Sequence, residues 1–284
     1  MRNSAERAGL PVFDCRELQK LIVELVRIDK CWVPNLISNN QSPSLYLRPT
    51  LIATEPCLGL NMPRMAKLYV IMSPVDHYYG NRDEAISLLA DSRYVRAFPG
   101  GVGAYKMHGA NYAPTVKITA HAQELGCKQV LWLFGPEELL TEAGTMNIFV
   151  YWINKDGERE LLTPPLRDGL ILPGVMRDSI LHLAKEWKES WCQGGGSIHE
   201  RYVTMEDIRQ ASLETRVLEM FGSGTAAVVT PIGRILHRKP KDGSIEELMI
   251  PTVCNGQNLT SRLLRTIRAI QRGKIEKPEW ITLV

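Results

Sequence analysis

The sequence predicts an α+β fold in two domains, and three observations predict it. Amphipathic helical periodicity recurs, as in "LQKLIVELVRI" and "LTSRLLRTIRAIQRG", with apolar residues three and four apart. Short β-rich runs stand between such stretches, among them "SLYLRPTLIAT", "KLYVIMSPV", "QVLWLF" and "TMNIFVYWI". Helix and strand do not alternate in the regular βαβ order that builds a doubly wound sheet. A polar, pattern-poor segment, "VDHYYGNRDEA", interrupts the chain. It sets a small domain at 1–75, a linker at 76–86 and a larger domain at 87–284.

Taken in order, Asp14 opens the first long helix, and Glu17 three residues on fits a capping box. Leu18, Leu21, Ile22, Leu25 and Ile28 then share one helical face. "SLYLRPTLIAT" and "KLYVIMSPV" read as strands separated by the Pro- and Gly-containing turn "EPCLGLNMPRM". Beyond the linker, "VKITAHAQELG" reads as a helix ending at Gly126, and "QVLWLF" as a buried strand. "TMNIFVYWI" and "GERELLTP" form a pair of strands around the turn residues "NKDG". "GLILPGVMRDSILHLAKEW" reads as a strand running through Pro-Gly into an amphipathic helix, and "CQGGGSI" as a surface insertion. Thr204 and Asp207 suit the start of another helix. "VLEMFGSGTAAVVTPIGRIL" gives two apolar runs around a Gly-Ser-Gly-Thr turn, and a last amphipathic helix precedes the tail. There are no internal repeats.

Composition excludes several classes of function. With 44% hydrophobic and 23% charged residues, the 284-residue chain has the balance of a globular protein. Its 34 basic and 31 acidic residues are mixed along the chain, for a net charge of +3. No basic run is interleaved with aromatics, so nucleic acid is not an expected partner. Nor does any apolar stretch approach the roughly 20 residues of a membrane span, and the first residues lack the apolar core of a signal peptide. Cys15, Cys31, Cys57, Cys127, Cys192 and Cys254 form no CxxC pair. Neither a metal site nor a disulfide framework is therefore expected, and a reducing, intracellular location is.

Several residues carry chemistry in patterns that leave two readings open. Lys106 follows "GGVGAY" and precedes "HGANYAP". It is either a solvated lysine of an ordinary glycine-rich loop or a lysine held beside something the backbone approaches closely. "FGSGTA" supplies converging amides and the hydroxyls of Ser223 and Thr225, and "LPGVMR" opens a helix whose free N–H groups favour an anion. Both are equally plain turn and capping material. Glu142 is an acid in apolar and small-residue company, or a loop carboxylate. Thr145 and Asn147 follow it as polar residues entering an apolar strand, which sheet alternation also explains. Tyr46 and Arg48 lie on one face of a strand at period two, as outward-facing residues do. One explanation covers the set. A lysine in a tight loop forms a Schiff base with pyridoxal 5'-phosphate (PLP), a carboxylate keeps the pyridine nitrogen protonated, a tyrosine bonds the phenolic oxygen, and glycine turns and a helix start hold the phosphate.

Long stretches carry a resemblance. "EAGTMNIFVYWINKDGERELLTPP", "LILPGVMR", "VLEMFGSGTA" and "SLYLRPTLIATEP" closely resemble the branched-chain amino acid aminotransferases of animals, PLP enzymes of fold type IV. It runs from "ERAGLPVFD" to "EWITLV", nearly the whole chain, and implies a small α/β domain and a larger barrel-like one. It further implies that Lys106 carries the cofactor and, as an unprotonated amine, shuttles the substrate proton. Glu142 matches the partner of the pyridine nitrogen and Tyr112 that of the phenolic oxygen. Val175 and Met176 match the helix-start amides at the phosphate, and Ser223 and Thr225 belong to the phosphate-binding turn. Thr145 and Ala226 match positions around the cofactor and the substrate carboxylate, and Tyr46 and Arg48 match residues that close the substrate pocket. The implied reaction moves the amino group of leucine, isoleucine or valine to 2-oxoglutarate, giving glutamate, in a homodimer of the cytoplasm or mitochondria. D-amino acid aminotransferase and aminodeoxychorismate lyase share the fold and are the rival activities. A catalytically silent binding partner is the rival of another class.

Three departures from the family pattern bear on this. The family carries an N-terminal stretch ahead of "ERAGLPVFD", with an arginine for the cofactor phosphate and further strands of the small domain. Lacking these, the strands near "SLYLRPT" are expected to show an exposed edge and a thin core. "KMHGANY" is one residue longer than the family's lysine-to-tyrosine spacing, which either bulges the loop near His108 or moves Tyr112 out of reach. Mammalian members place a redox-active CxxC after the GSGT turn, where this chain has Ala227 and Thr230. A thiol switch is not expected there.

Overall fold

The computed structural model describes residues 1–34, 43–75, 84–187, 196–252 and 258–284. It divides into two compact units, Met1–Gly80 with Pro278–Val284, and Asn81–Lys277. Most of the expected linker (76–83) lies outside the described residues, and its last residue, Ile86, already belongs to a strand.

The first unit contains α1 (Arg2–Arg7), α2 (Cys15–Ile28), β1 (Ser44–Ala53) and β2 (Ala66–Val75). Asp14 caps α2 by accepting from the Arg16 and Glu17 N–H groups at 2.7 and 3.1 Å. Glu17 takes the ammonium of Lys20 at 2.7 Å, so the expected capping box is a one-sided cap. Leu18, Ile22 and Leu25 are half-buried as expected, together with Val23 and Val26. Leu21 and Ile28, on the flank of that stripe, are 65% and 72% exposed. β1 and β2 pair antiparallel from Ser44↔Val75 to Ala53↔Ala66, and neither strand has a fully buried residue. The tail clusters with this unit rather than with the large domain assigned to it from sequence. Thr282 accepts a 3.1 Å hydrogen bond from the Gln19 side chain on α2.

The second unit is built on β3 (Ile86–Asp91), β4 (Gln129–Phe134), β5 (Leu139–Ala143), β6 (Met146–Ile153), β7 (Arg159–Thr163), β8 (Gly196–Glu200), β9 (Val217–Gly224), β10 (Val228–Arg238) and β11 (Ile245–Met249). Each of β10, β3, β4, β5, β6 and β9 pairs with the next, and β9 pairs back onto β10, which closes a barrel. β11 extends it from β10, while β7 and β8 extend it from β6. Closure explains why "MNIFVYWI" reads as an unbroken apolar run, since β6 is buried on both faces for seven of its eight residues. Phe149 and Phe221 pair across β6 and β9 and stack with ring centroids 5.0 Å apart.

Two expectations change here. "GLIL" is not a strand, because its backbone groups are bonded by buried side chains rather than by a neighbouring ladder. "CQGGGSI" is not wholly an insertion, because Gly196, Ser197 and Ile198 pair parallel with β7; residues 192–195 lie outside the described residues.

The helices of this unit are α3 (His108–Asn111), α4 (Val116–Glu124), α5 (Val175–Glu186), α6 (Met205–Leu213) and α7 (Leu259–Gln271). α6 opens on a capping box between Thr204 and Asp207. A strand side chain supports the start of α7. The buried Glu219 of β9 accepts from the N–H groups of Leu259 and Thr260 and from the Thr260 hydroxyl, at 3.0, 2.8 and 2.6 Å. A carboxylate there meets the positive end of the helix dipole and satisfies two of its unpaired donors. Glu219→Ala is expected to destabilise the chain by about 3 kcal/mol, read as a lower midpoint in urea denaturation with an unchanged slope.

Candidate active site

One lateral row of the barrel wall organises the site. Glu142 of β5 is paired with Asn147 of β6, and Asn147 with Ser223 of β9. Directly opposed residues of antiparallel strands project from the same face. Three polar side chains therefore stand side by side, and all three are buried. Asn147 donates through Nδ2 to Glu142 Oε1 at 3.2 Å and to the Leu172 carbonyl at 2.9 Å. The Leu172 N–H donates to the same carboxylate oxygen at 2.8 Å. Arg96 lies 3.1 Å from Glu142 Oε2 through its Nη2 atom. Burial pushes the Glu142 carboxyl up from 4.5 to about 6, against the pull of Arg96, the Leu172 N–H and Lys106.

Lys106 lies in the loop between β3 and α3, with its side chain exposed. Its Nζ donates to the Tyr112 hydroxyl at 2.8 Å and stands 4.7 Å from that ring's centroid. α3 is a single turn, and Tyr112 stands within reach of the lysine. His108 packs its ring edge-on against Tyr112, with centroids 5.2 Å apart. Asn111, at the end of that turn, is buried and donates to the Val102 and Tyr105 carbonyls at 2.8 and 2.6 Å. It fastens the loop on both sides of its bend. Gly103 answers the question of why the loop is glycine-rich. A Cβ there would lie 2.8 Å from the Gly169 carbonyl, so only glycine lets the two segments meet.

α5 begins beside the row. Its N-cap is Gly174, with no side-chain cap, so the first amides, Val175 and Met176 among them, have no side-chain acceptor. A Cβ on Gly174 would collide with Asn147 Oδ1, which couples this helix start to the row. Val175 is exposed and Met176 buried. Arg177, next along, is buried and donates to the Pro164 carbonyl at 2.8 Å and to Glu200 at 2.7 Å, bracing the helix start against β7 and β8. The Ser223 hydroxyl is buried and has no hydrogen-bond partner among the described residues. Thr225 and Ala226 are exposed in the turn between β9 and β10. Thr145, exposed at the tip of the β5–β6 hairpin, puts its carbonyl 3.7 Å from where a Cβ of Gly224 would be, so hairpin and turn are neighbours. Tyr46 and Arg48 belong to β1 of the first unit. Arg48 donates to the Tyr46 hydroxyl at 3.0 Å, with its guanidinium 5.1 Å from that ring's centroid.

Sequence reasoning missed Arg96 and Asn111 and left Asn147 as a strand-face residue. For Arg96 the available signal was an arginine in "YVRAFPGG" with no carboxylate at helical spacing; its partner is Glu142, far along the chain. Ala227 and Thr230 occupy the end of the GSGT turn and β10, and Cys15, Cys31, Cys57 and Cys127 are free thiols. Cys192 and Cys254 lie outside the described residues. Among the described residues, no cluster of histidine, cysteine and carboxylate side chains suits a metal ion, and no helix is long and apolar enough to cross a membrane.

Comparison with known proteins gives the family and the fold. The family "Amino-transferase class IV" matches residues 1–235. The cytosolic branched-chain-amino-acid aminotransferase of Caenorhabditis elegans is 50% identical over 99% of this chain and 65% of its own length. The cytosolic enzyme of Ovis aries is 49% identical over 100% and 69%, and the mitochondrial one of Rattus norvegicus 49% over 96% and 65%. The chain thus spans about two thirds of the length of these relatives. Among solved structures, a branched-chain aminotransferase from Thermoproteus uzoniensis, crystallised with norvaline, superposes with a TM-score of 0.70 at 25% identity, over 99% of this chain and 80% of its own. The T.th. branched-chain amino acid aminotransferase with pyridoxamine 5'-phosphate gives 0.69 at 24%, over 98% and 78%, a likeness of fold. The barrel is that of the fold-type-IV enzymes, and the chain belongs to the class IV aminotransferases.

Proposed function

We propose that the chain is a PLP-dependent branched-chain amino acid aminotransferase, taking the amino group of L-leucine, L-isoleucine or L-valine to 2-oxoglutarate. The observation that carries this reading is the convergence of Lys106, bonded to Tyr112, with the buried Glu142, which feels the charge of that lysine. The names of the relatives supply the substrate class.

The residues fit the cofactor on their own chemistry. Glu142 is an acid poised near neutrality in a dry row, suited to a partner carrying a proton on nitrogen. Among the described residues, the buried Ser223 hydroxyl has no partner and α5 begins without a side-chain cap, as an anion site requires. In this reading Lys106 would anchor the cofactor, Tyr112 would hold its phenolic oxygen, and Val175, Met176, Ser223 and Thr225 would hold its phosphate. Bound PLP supplies an electron-accepting ring that stabilises the charge left when the substrate α-carbon loses its proton. Once displaced from the cofactor by the substrate's amine, Lys106 Nζ would be free to take that proton and return it, with the Tyr112 hydroxyl 2.8 Å away to orient the amine. The Glu142 carboxylate would hold the proton on the ring nitrogen. Thr145 and Ala226 line the side that receives the substrate carboxylate. We assign the active form to a homodimer, and its compartment to cytoplasm or mitochondria, since relatives of both kinds match.

The test is turnover of the purified chain with added PLP on L-leucine plus 2-oxoglutarate, beside D-alanine and aminodeoxychorismate. Glutamate formed from L-leucine alone supports the assignment. Turnover of D-alanine, or pyruvate released from aminodeoxychorismate, gives the activity to a different class IV enzyme. Inertness towards all three makes the chain a binding protein of enzymatic ancestry.

A further inference from the structure

Arg96 is buried as deeply as the acid it faces, with side chains 1% and 5% exposed for Arg96 and Glu142. Its Nη2 atom does two things at once. It lies 3.1 Å from Glu142 Oε2 and donates to the Leu170 carbonyl at 2.6 Å. Two residues on, the Leu172 N–H donates to the other oxygen of the same carboxylate. One guanidinium therefore grips both the acid and the segment that supplies the acid's backbone donor. The arrangement is made at a cost, because Arg96 Nε is buried with no hydrogen-bond partner among the described residues. Buried ion pairs are often replaceable by apolar side chains without loss of stability, so packing does not account for the pair.

Among the described residues, two cations act on Glu142, namely Arg96 and Lys106; Asn147, which also contacts it, is neutral. The two are not equivalent. In the reaction proposed above, Lys106 works as an uncharged amine, so its support disappears at the step that needs it. A guanidinium keeps its charge throughout. We infer that Arg96 is a positioning residue, holding Glu142 ionised and clamped against the 170–172 backbone so that an anion, not an acid, meets the cofactor's ring nitrogen. The inference rests on the PLP reading for its purpose, but the Arg96–Glu142 coupling is measurable without cofactor.

The experiment is a carbon-13 carboxyl titration of the cofactor-free chain labelled on glutamate, with the Glu142 signal identified by its loss in Glu142→Gln. Wild type should titrate near 6. In Arg96→Gln the midpoint should rise by about one to three units. A folded Arg96→Gln chain whose midpoint stays at the wild-type value overturns the inference. Should that variant not fold, Arg96→Lys carries the test, since an ammonium keeps the charge but is a poor bridge to two acceptors. Its midpoint should rise by a smaller amount, and an unchanged value again overturns the inference. With PLP added, Arg96→Gln should bind about tenfold more weakly at pH 7 and regain affinity as the pH is raised, one unit of midpoint being a factor of ten. A loss of affinity constant with pH indicates only a structural role and also overturns it. Whether wild type, but not Lys106→Ala, binds PLP is decided separately. A shifted midpoint without any PLP binding would uphold the coupling while defeating the functional reading.

Discussion

Lys106→Ala is expected to remove the visible absorbance that PLP acquires with the wild-type chain, and to lower turnover of L-leucine by at least about a thousandfold. The large effect follows from the two tasks assigned to one amine, anchoring the cofactor and moving the substrate proton. Stability should hardly change. Lys106 is exposed, and its hydrogen bond to Tyr112 is a surface contact, so truncation should alter folding free energy by no more than about 0.5 kcal/mol. That separation makes the result diagnostic. An unchanged melting temperature with the absorbance lost assigns Lys106 to the cofactor. Retention of both absorbance and turnover would return it to the role of a solvated loop lysine. The loop should survive the change because its shape is set elsewhere, by Asn111 on the Val102 and Tyr105 carbonyls and by Gly103 against Gly169.

What could be read from the sequence was whatever depends on neighbours along the chain. The unbroken apolar run "MNIFVYWI" told of a strand, and Thr204 with Asp207 told of a helix start; both follow from local geometry. Lys106, Glu142 and the GSGT turn stood out because their residue types sit oddly in their surroundings, and the long family-like stretches gave them roles. Closure of the barrel was not legible, because the pairing of β10 with β3 joins segments over a hundred residues apart and leaves no periodic trace. "GLIL" has the composition of a strand yet spends its backbone groups on Arg96, Asn147 and Glu142. Propensity cannot see such a competitor, since the side chains come from three other elements. The same reason hid Arg96. An arginine becomes informative only when its partner is known, and the partner is brought to it by tertiary structure.

Glu142→Gln is the second large effect expected, and its signature is a change in pH dependence. The carboxyl stands near 6 because burial opposes its charge more strongly than Arg96, the Leu172 N–H and Lys106 favour it. In wild type, kcat/KM for L-leucine should therefore fall as the pH drops through about 6, where the anion that holds the ring-nitrogen proton is lost. The neutral amide cannot titrate, so the variant should lose this acid limb and run about a hundred- to a thousandfold slower at pH 8. Persistence of a limb near pH 6 in the variant would assign it to another group. Stability carries the opposite sign from an ordinary ion-paired acid. With its value raised, Glu142 binds a proton more tightly in the folded than in the unfolded chain, so the cofactor-free protein should lose stability as the pH rises from 4.5 to about 6. That difference amounts to about 2 kcal/mol, at 1.36 kcal/mol per unit. Glu142→Gln should not simply recover it, because Arg96 would then be left buried opposite an uncharged amide. Ionised Glu142 is thus held against its own solvation, and a ligand that brings a proton to it recovers what the folded chain has given up.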